Sequence, residues 1–187
     1  VHGSSSSVVV VGNEIYKRSL AGGSWTSPAS DPSASSYASV WMAADESVLY
    51  VGTDDAVYET TGVPWDTAGG PTWNALPFAS APGRITYLDG NGSGELIAVS
   101  QTGQLYRWNG ATFDVIPLDG LGFVSSATLT EDGTIVVATG SNLYRFTEDE
   151  EAPWLRLDVE GWSFSLASHG NEVFAVGQNG QVARITP

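Results

Sequence analysis

A tyrosine returns along this chain at a nearly fixed interval, each time in the same local setting. "VVVVGNEIYKR" carries Tyr16, "LYVGTDDAVYET" Tyr58, "LIAVSQTGQLYRW" Tyr106 and "IVVATGSNLYRF" Tyr144, while "VFAVGQNGQVARI" puts Ala183 in that place. The successive spacings are 42, 48, 38 and 39 residues. A unit of about 40 residues is one supersecondary element that cannot bury its apolar face alone, so the copies must pack on one another.

Each copy reads the same way. An apolar strand ends in Val-Gly or a close relative, a short turn rich in Gly, Asn, Asp or Gln follows, and a second strand carries the tyrosine. Alternation and β-branched runs mark both as strands. An aromatic follows downstream at Trp25, Trp73, Phe113 and Trp154. Upstream lies a further short strand, "SVWMA" (39–43), "RITYL" (84–88), "SSATL" (125–129) or "SFSLA" (163–167), joined to the apolar strand by a hairpin turn. This gives an inner strand A, an apolar B, a tyrosine-bearing C and an outer D. With 22 Gly, 9 Pro and only 15% charged residues, the composition suits many short strands joined by tight turns. The expectation is all-β: a five-bladed β-propeller of four-stranded antiparallel blades.

The 187 residues suit a single domain, with repeats at approximately 1–35, 36–80, 81–120, 121–160 and 161–187. The first copy opens on strand B and the last stops after strand C. Loose sheet edges invite aggregation, so the ring is expected to close through its termini, with residues 1–7 or neighbouring strands completing the terminal sheets. A fragment of a larger propeller is the alternative. A start at Val1 rather than Met fits a trimmed chain, such as one that has lost a secretion signal or a tag.

The copies at 39–60, 95–113 and 171–186 resemble the repeats of bacterial surface and secreted β-propellers, of the form V-x-A-V-G-x-x-G-x-L-Y-R-W. In blade number and size the chain also resembles the five-bladed tachylectin-type propellers. The resemblance implies a secreted or cell-surface protein. It does not choose among lectins, hydrolases and protein-binding scaffolds, all of which use this fold.

The chemistry is bounded mostly by exclusion. Twenty-one acids against seven bases give a net charge of −14, which disfavours nucleic acid and anionic membrane as partners. No apolar run approaches the roughly 18 residues of a membrane span. The absence of cysteine removes disulfides, thiolate metal sites and cysteine nucleophiles. His2 and His169 are too few and too separated for a metal cluster, and neither has a Ser-His-Asp context. The position after the tyrosine holds Lys17, Glu59, Arg107, Arg145 and Arg184, which would point apart around a ring. Those bases are expected to pair with acids of neighbouring blades or to remain solvated, not to converge on one carboxylate as in a sialidase.

"YLDGNGSGELIAV" (87–99) opens like a calcium loop with Asp89, Asn91 and Ser93. Calcium wants six to eight oxygens including a late bidentate acid, and here Glu95 comes too early, followed by Leu96 and Ile97. An elongated hairpin turn is the expectation, and no cofactor is assigned. The acidic run "TEDEEAPW" (147–154) reads as a solvated loop.

No catalytic constellation emerges, and the expected function is non-enzymatic: an extracellular or surface-associated module that binds a protein, with a glycan-binding lectin as the alternative and a glycoside hydrolase as a distant third. In a propeller the D–A connections and B–C turns share one face. Tyr37, Phe78, Phe123 and Trp162 on the connections, with Gln101 and Gln178 on the turns, could combine stacking with directional hydrogen bonds. On the opposite face Trp65, in the long loop "TTGVPWDTAGGPTW" (60–73), has no equivalent in other copies and is the sharpest single candidate for a contact residue. The sequence leaves the oligomeric state open.

Overall fold

The structure is a computed structural model that describes residues 1–28, 32, 34, 36–61, 70–140, 142–147, 152–159 and 165–187. It is built from five antiparallel sheets in chain order. The first contains β1 (His2–Gly3), β2 (Ser7–Val11) and β3 (Ile15–Ser19); the second β4 (Tyr37–Met42), β5 (Val48–Thr53), β6 (Val57–Thr61) and β7 (Thr72–Leu76). The third contains β8 (Ile85–Gly90), β9 (Leu96–Ser100), β10 (Leu105–Trp108) and β11 (Phe113–Ile116); the fourth β12 (Ser126–Leu129), β13 (Ile135–Thr139), β14 (Asn142–Phe146) and β15 (Trp154–Leu157). The fifth contains β16 (Ser165–His169), β17 (Glu172–Val176) and β18 (Val182–Ile185). Among the described residues the one helical segment is a single 3-10 turn at Gln178–Gly180.

The repeat seen in the sequence is a repeat of register. Tyr16 pairs with Val10, Tyr58 with Val51, Tyr106 with Ala98, Tyr144 with Val137 and Ala183 with Ala175. Period-two alternation then sends Val10, Val51, Ala98, Val137 and Ala175 to one side of their sheets, and Val9, Tyr50, Ile97, Val136 and Phe174 to the other. We call these the leading and trailing faces, because the trailing face of one sheet packs on the leading face of the next. Val9 and Ile15 of the first sheet share a core with Val40, Met42, Leu49 and Val51 of the second. Val136, Ala138 and Leu143 of the fourth share another with Leu166, Val173 and Ala175 of the fifth.

A serine repeats at the same seam. Ser39 and Ser126 occupy equivalent positions on their inner strands, opposite Gly52 and Ala138. Ser39 Oγ donates to the Ile85 carbonyl at 3.0 Å, and Ser126 Oγ accepts from the Leu166 amide at 3.1 Å. Each ties its sheet to the inner strand of the next.

The start of the chain supplies the first sheet's inner strand: β1 pairs with β2, His2 opposite Val9 and Gly3 opposite Val8. A bridge between Lys17 and Thr26 adds an outer rung to the same sheet. The described residues of the fifth sheet form three strands. The chain divides into two compact units, Val1–Leu88 with Gly110–Phe113, and Asp89–Asn109 with Asp114–Pro187.

The bases after the repeated tyrosine depart in part from expectation. Lys17 does reach an acid of the neighbouring sheet, Glu46 at 2.6 Å. Arg107 and Arg184 instead pair within their own sheets, with Glu95 and Glu172. Arg107 lies opposite Ile97 and Arg184 opposite Phe174, so an acid two residues earlier on strand B is the diagonal neighbour on the same face, within easy reach of a long side chain. The two pairs are the same contact made twice by the repeat.

Candidate functional site

The turn between β9 and β10 is fixed by its own hydrogen bonds. The Gly103 amide donates to the Ser100 carbonyl at 2.9 Å, and the Ser100 amide to the Gln104 carbonyl at 3.0 Å. Ser100 Oγ and Thr102 Oγ1 are 2.8 Å apart, and Gln104 Nε2 donates to the carbonyls of Leu105 and Ile116. Gly103 has φ +79°, the left-handed region that glycine enters without cost. The turn therefore holds Gln101 exposed at its tip on a rigid base.

The connection from β11 to β12 brings Phe123 onto this turn. Val124 is buried and anchors the connection, while Phe123 beside it is 57% exposed. The Phe123 ring lies where a Gly103 side chain would be: an added Cβ would stand 2.7 Å from Phe123 Cδ2 and 2.9 Å from the Val124 amide nitrogen. Two residues singled out by the sequence, Gln101 and Phe123, thus belong to one assembly. Its seat, Gly103, carries no sequence signal beyond an ordinary turn glycine, and reasoning from the sequence missed it.

A second polar cluster lies in the other unit, on the turn between β5 and β6. Asp54 accepts from Ser36 Oγ at 3.0 Å and lies 3.6 Å from Arg84 Nε. Ser36 and Arg84 come from the connections ahead of β4 and β8, so D–A connections and B–C turns do meet on one side of their sheets, as the topology requires.

The remaining candidates have other surroundings. Tyr37 is buried in the core of the first two sheets and donates its hydroxyl to the Pro32 carbonyl. Phe78 is half-buried and stacks on Phe113, ring centroids 4.5 Å apart and planes 15° apart. Gln178 is exposed at the start of the 3-10 turn before β18. Trp65 and Trp162 lie outside the described residues.

The residues with the spacing of a calcium loop are turned to protein donors. Asp89 Oδ2 accepts from Thr128 Oγ1 at 2.6 Å and from the Leu129 amide at 3.0 Å, and its Oδ1 accepts from the Gly90 amide. Asn91 Oδ1 accepts from the Ser93 hydroxyl and the amides of Ser93 and Glu95, and its Nδ2 donates to Glu95 and the Thr130 carbonyl. The sharp turn is built as an Asx turn locked to the next sheet.

Burial raises the Asp89 carboxyl above its ordinary range against the pull of three hydrogen bonds. A group raised in the folded state contributes its stabilisation below its unfolded pKa and loses it as pH rises through the folded value. The stability advantage of the native protein over Asp89→Asn should therefore shrink in urea titrations as pH rises above the ordinary carboxylate value. An advantage that grows with pH would show that the hydrogen bonds, not burial, dominate at Asp89.

Tyr50, Tyr106, Asp89 and Glu46 owe their displaced pKa values to burial within sheets or to partners at the seams. An exposed ring above a rigid turn, with an amide at the tip, is equipped to recognise: it offers stacking area and directional hydrogen bonds at small entropic cost.

No helix among the described residues is long and apolar enough to cross a membrane. No protein-family model matches the chain, and no curated protein matches it. Among solved structures it is similar to a chain of the mitotic checkpoint complex, with a TM-score of 0.73 at 16% identity over 99% of this chain. The match covers 59% of that longer chain. At this identity the likeness concerns the fold alone, and with the five repeated sheets it makes the architecture an all-β, five-bladed β-propeller.

Proposed function

We propose that this propeller is a non-enzymatic protein-binding module, extracellular or surface-associated as its resemblance to secreted repeat propellers suggests, and that Phe123 is its aromatic anchor. The observation that carries this is Phe123 itself: a phenylalanine packed on Gly103, in the turn that carries Gln101, yet more than half exposed. Binding energy concentrates on such pre-positioned aromatics. The similar chain belongs to a multiprotein complex, which supports a protein partner.

A display library of folded domains and peptides, panned against the protein, tests the reading. Enriched binders should lose at least tenfold in affinity to Phe123→Ala, which corresponds to about 1.4 kcal/mol. The melting temperature should barely move, because most of the ring is already in water. Gly103→Ala should weaken the same binders and also destabilise the fold by about 1–3 kcal/mol, since it combines a positive φ with a collision. Binders indifferent to Phe123 would refute the anchor. An exposed ring on a turn that also carries an amide suits a sugar as well, and saturable signals on a glycan array, abolished by Phe123→Ala, would favour the lectin.

A further inference from the structure

The connection that carries Phe123 also fixes a carboxylate. Leu118 and Leu121 close a tight turn, the Leu121 amide donating to the Leu118 carbonyl at 2.8 Å. Its two central residues, Asp119 and Gly120, have φ +39° and +84°, the pair of positive values that Asp-Gly adopts readily. Asp119 is thereby held exposed at the tip of the turn, in the same connection as the exposed ring. Gln101 and Thr102 are exposed on the turn that seats this ring. All of these residues, with Gly103, lie in one compact unit, Asp89–Asn109 with Asp114–Pro187.

The charges of that unit are sorted. Its arginines all lie within strands: Arg107 in β10, Arg145 in β14, Arg156 in β15 and Arg184 in β18. Arg107 and Arg184 are already paired, with Glu95 and Glu172. The turns and connections of the unit carry no Lys or Arg, whereas Asp119 and Asp158 stand exposed on two of the connections. A partner docking on these loops meets an aromatic ring, a side-chain amide and a carboxylate, with no competing cation. The net charge of −14 adds a long-range attraction for positive charge.

We infer, resting on the assignment of Phe123 as the anchor of a protein-binding module, that the partner's contact residue is an arginine on an exposed basic segment. A guanidinium suits all three groups. Its plane stacks on an aromatic face, and it is less strongly hydrated than an ammonium, so it leaves water more readily. Its fork of N–H donors matches the Gln101 side-chain oxygen and the Asp119 carboxylate, both acceptors. Lysine brings the charge without the plane, and should bind less well. A neutral apolar residue would cover the ring and leave the carboxylate without a counter-charge.

Panning a random peptide display library against the native protein tests this. Peptides whose enrichment depends on Phe123 should share an arginine at a constant position. Citrulline there keeps the shape and removes the charge, and should weaken binding about tenfold, with lysine between the two. Phe123→Leu keeps apolar bulk without the π face, and should narrow the gap between arginine and citrulline peptides. Asp119→Asn, whose side chain tolerates the same positive φ, should weaken the arginine peptides about threefold and flatten the fall of their affinity with salt, leaving the melting temperature unchanged. Peptides that need Phe123 but tolerate citrulline, or are indifferent to Asp119→Asn and to salt, would overturn the arginine and leave Phe123 standing as an anchor. Peptides indifferent to Phe123, or a library that yields none, would overturn both.

Discussion

Gly52→Ala should destabilise the fold by about 2–4 kcal/mol, although one methyl group is all it adds. Gly52 lies in β5 on the trailing face of the second sheet, opposite Ser39. A Cβ there would stand 2.2 Å from Ser39 Oγ and 2.8 Å from Ile85 Cγ2. Neither neighbour can yield freely. Ser39 Oγ is committed to the Ile85 carbonyl, and turning it away leaves a buried carbonyl short of a donor. Ile85 is fully enclosed, so its side chain can move only by displacing others.

The backbone at Gly52 is not in the left-handed region, and the whole cost is steric. Gly12→Ala is the control: nothing lies within 4 Å of its added Cβ, and stability should change by no more than about 0.5 kcal/mol. Urea denaturation measures both. A Gly52→Ala variant with the midpoint of the native protein would show that the seam between these sheets is looser than Ile85 and Ser39 indicate. In a Ser39→Ala background the cost should fall, because one of the two collisions is gone.

Glu46→Ala should cost about 2 kcal/mol at neutral pH and nothing measurable in strong acid. Glu46 is in the turn between β4 and β5 at φ +60°, a conformation disfavoured for any residue with a Cβ. Four donors hold it there. The hydroxyls of Ser4, Ser6 and Ser7 donate to Oε1 at 2.5, 2.5 and 2.6 Å, and Lys17 Nζ reaches Oε2 at 2.6 Å. Its side chain and that of Lys17 are mostly enclosed, so water screens the pair less than it would at the surface. Burial alone would raise the Glu46 carboxyl, but the hydrogen bonds from Lys17 and the three serines outweigh it and pull the pKa to about 2.

A group depressed in the folded state stabilises above its unfolded pKa and loses that contribution as pH falls through the folded value. The native advantage over Glu46→Ala should thus be complete above about pH 4.5 and vanish towards about pH 2. Glu46→Gly should fall between the two by about 1 kcal/mol, since glycine relieves the positive φ while losing the same partners. A gap between native and alanine variant that persists unchanged into acid would sink the account.

His2 adds an earlier step at the same place. Its Nδ1 accepts from the Met42 amide and its ring lies against Trp41; burial first, and the N-terminal charge second, lower its pKa. This contribution is present above the ordinary histidine value and lost as pH falls below it, so acid should release β1 in two stages.

Much of this architecture was legible in the sequence because alternation and turn chemistry are local. The interval between tyrosines gave the sheet count, and the pairing of each tyrosine or its equivalent with the same strand B position followed, down to Ala183 opposite Ala175. Local pattern also assigned Phe123 and Gln101 to neighbouring loops. It could not show that a glycine two residues from Gln101 seats the Phe123 ring, since that contact joins segments about twenty residues apart. Asp89, Asn91 and Ser93 open like a calcium loop, yet the early Glu95 already pointed to an elongated turn. Only the tertiary structure shows the partners that turn takes from the next sheet, Thr128 and Leu129 for Asp89 and the Thr130 carbonyl for Asn91.

The deepest difference concerns residues that are identical in sequence. Val10 and Val51 sit in the same register beside the same tyrosine, and period-two geometry sends both to the leading face of a sheet. Sequence determines that much, because which side a strand residue points to is a property of the strand. Whether the face is covered depends on the sheet that comes next in space, and only the tertiary structure shows Val51 sealed and Val10 half open.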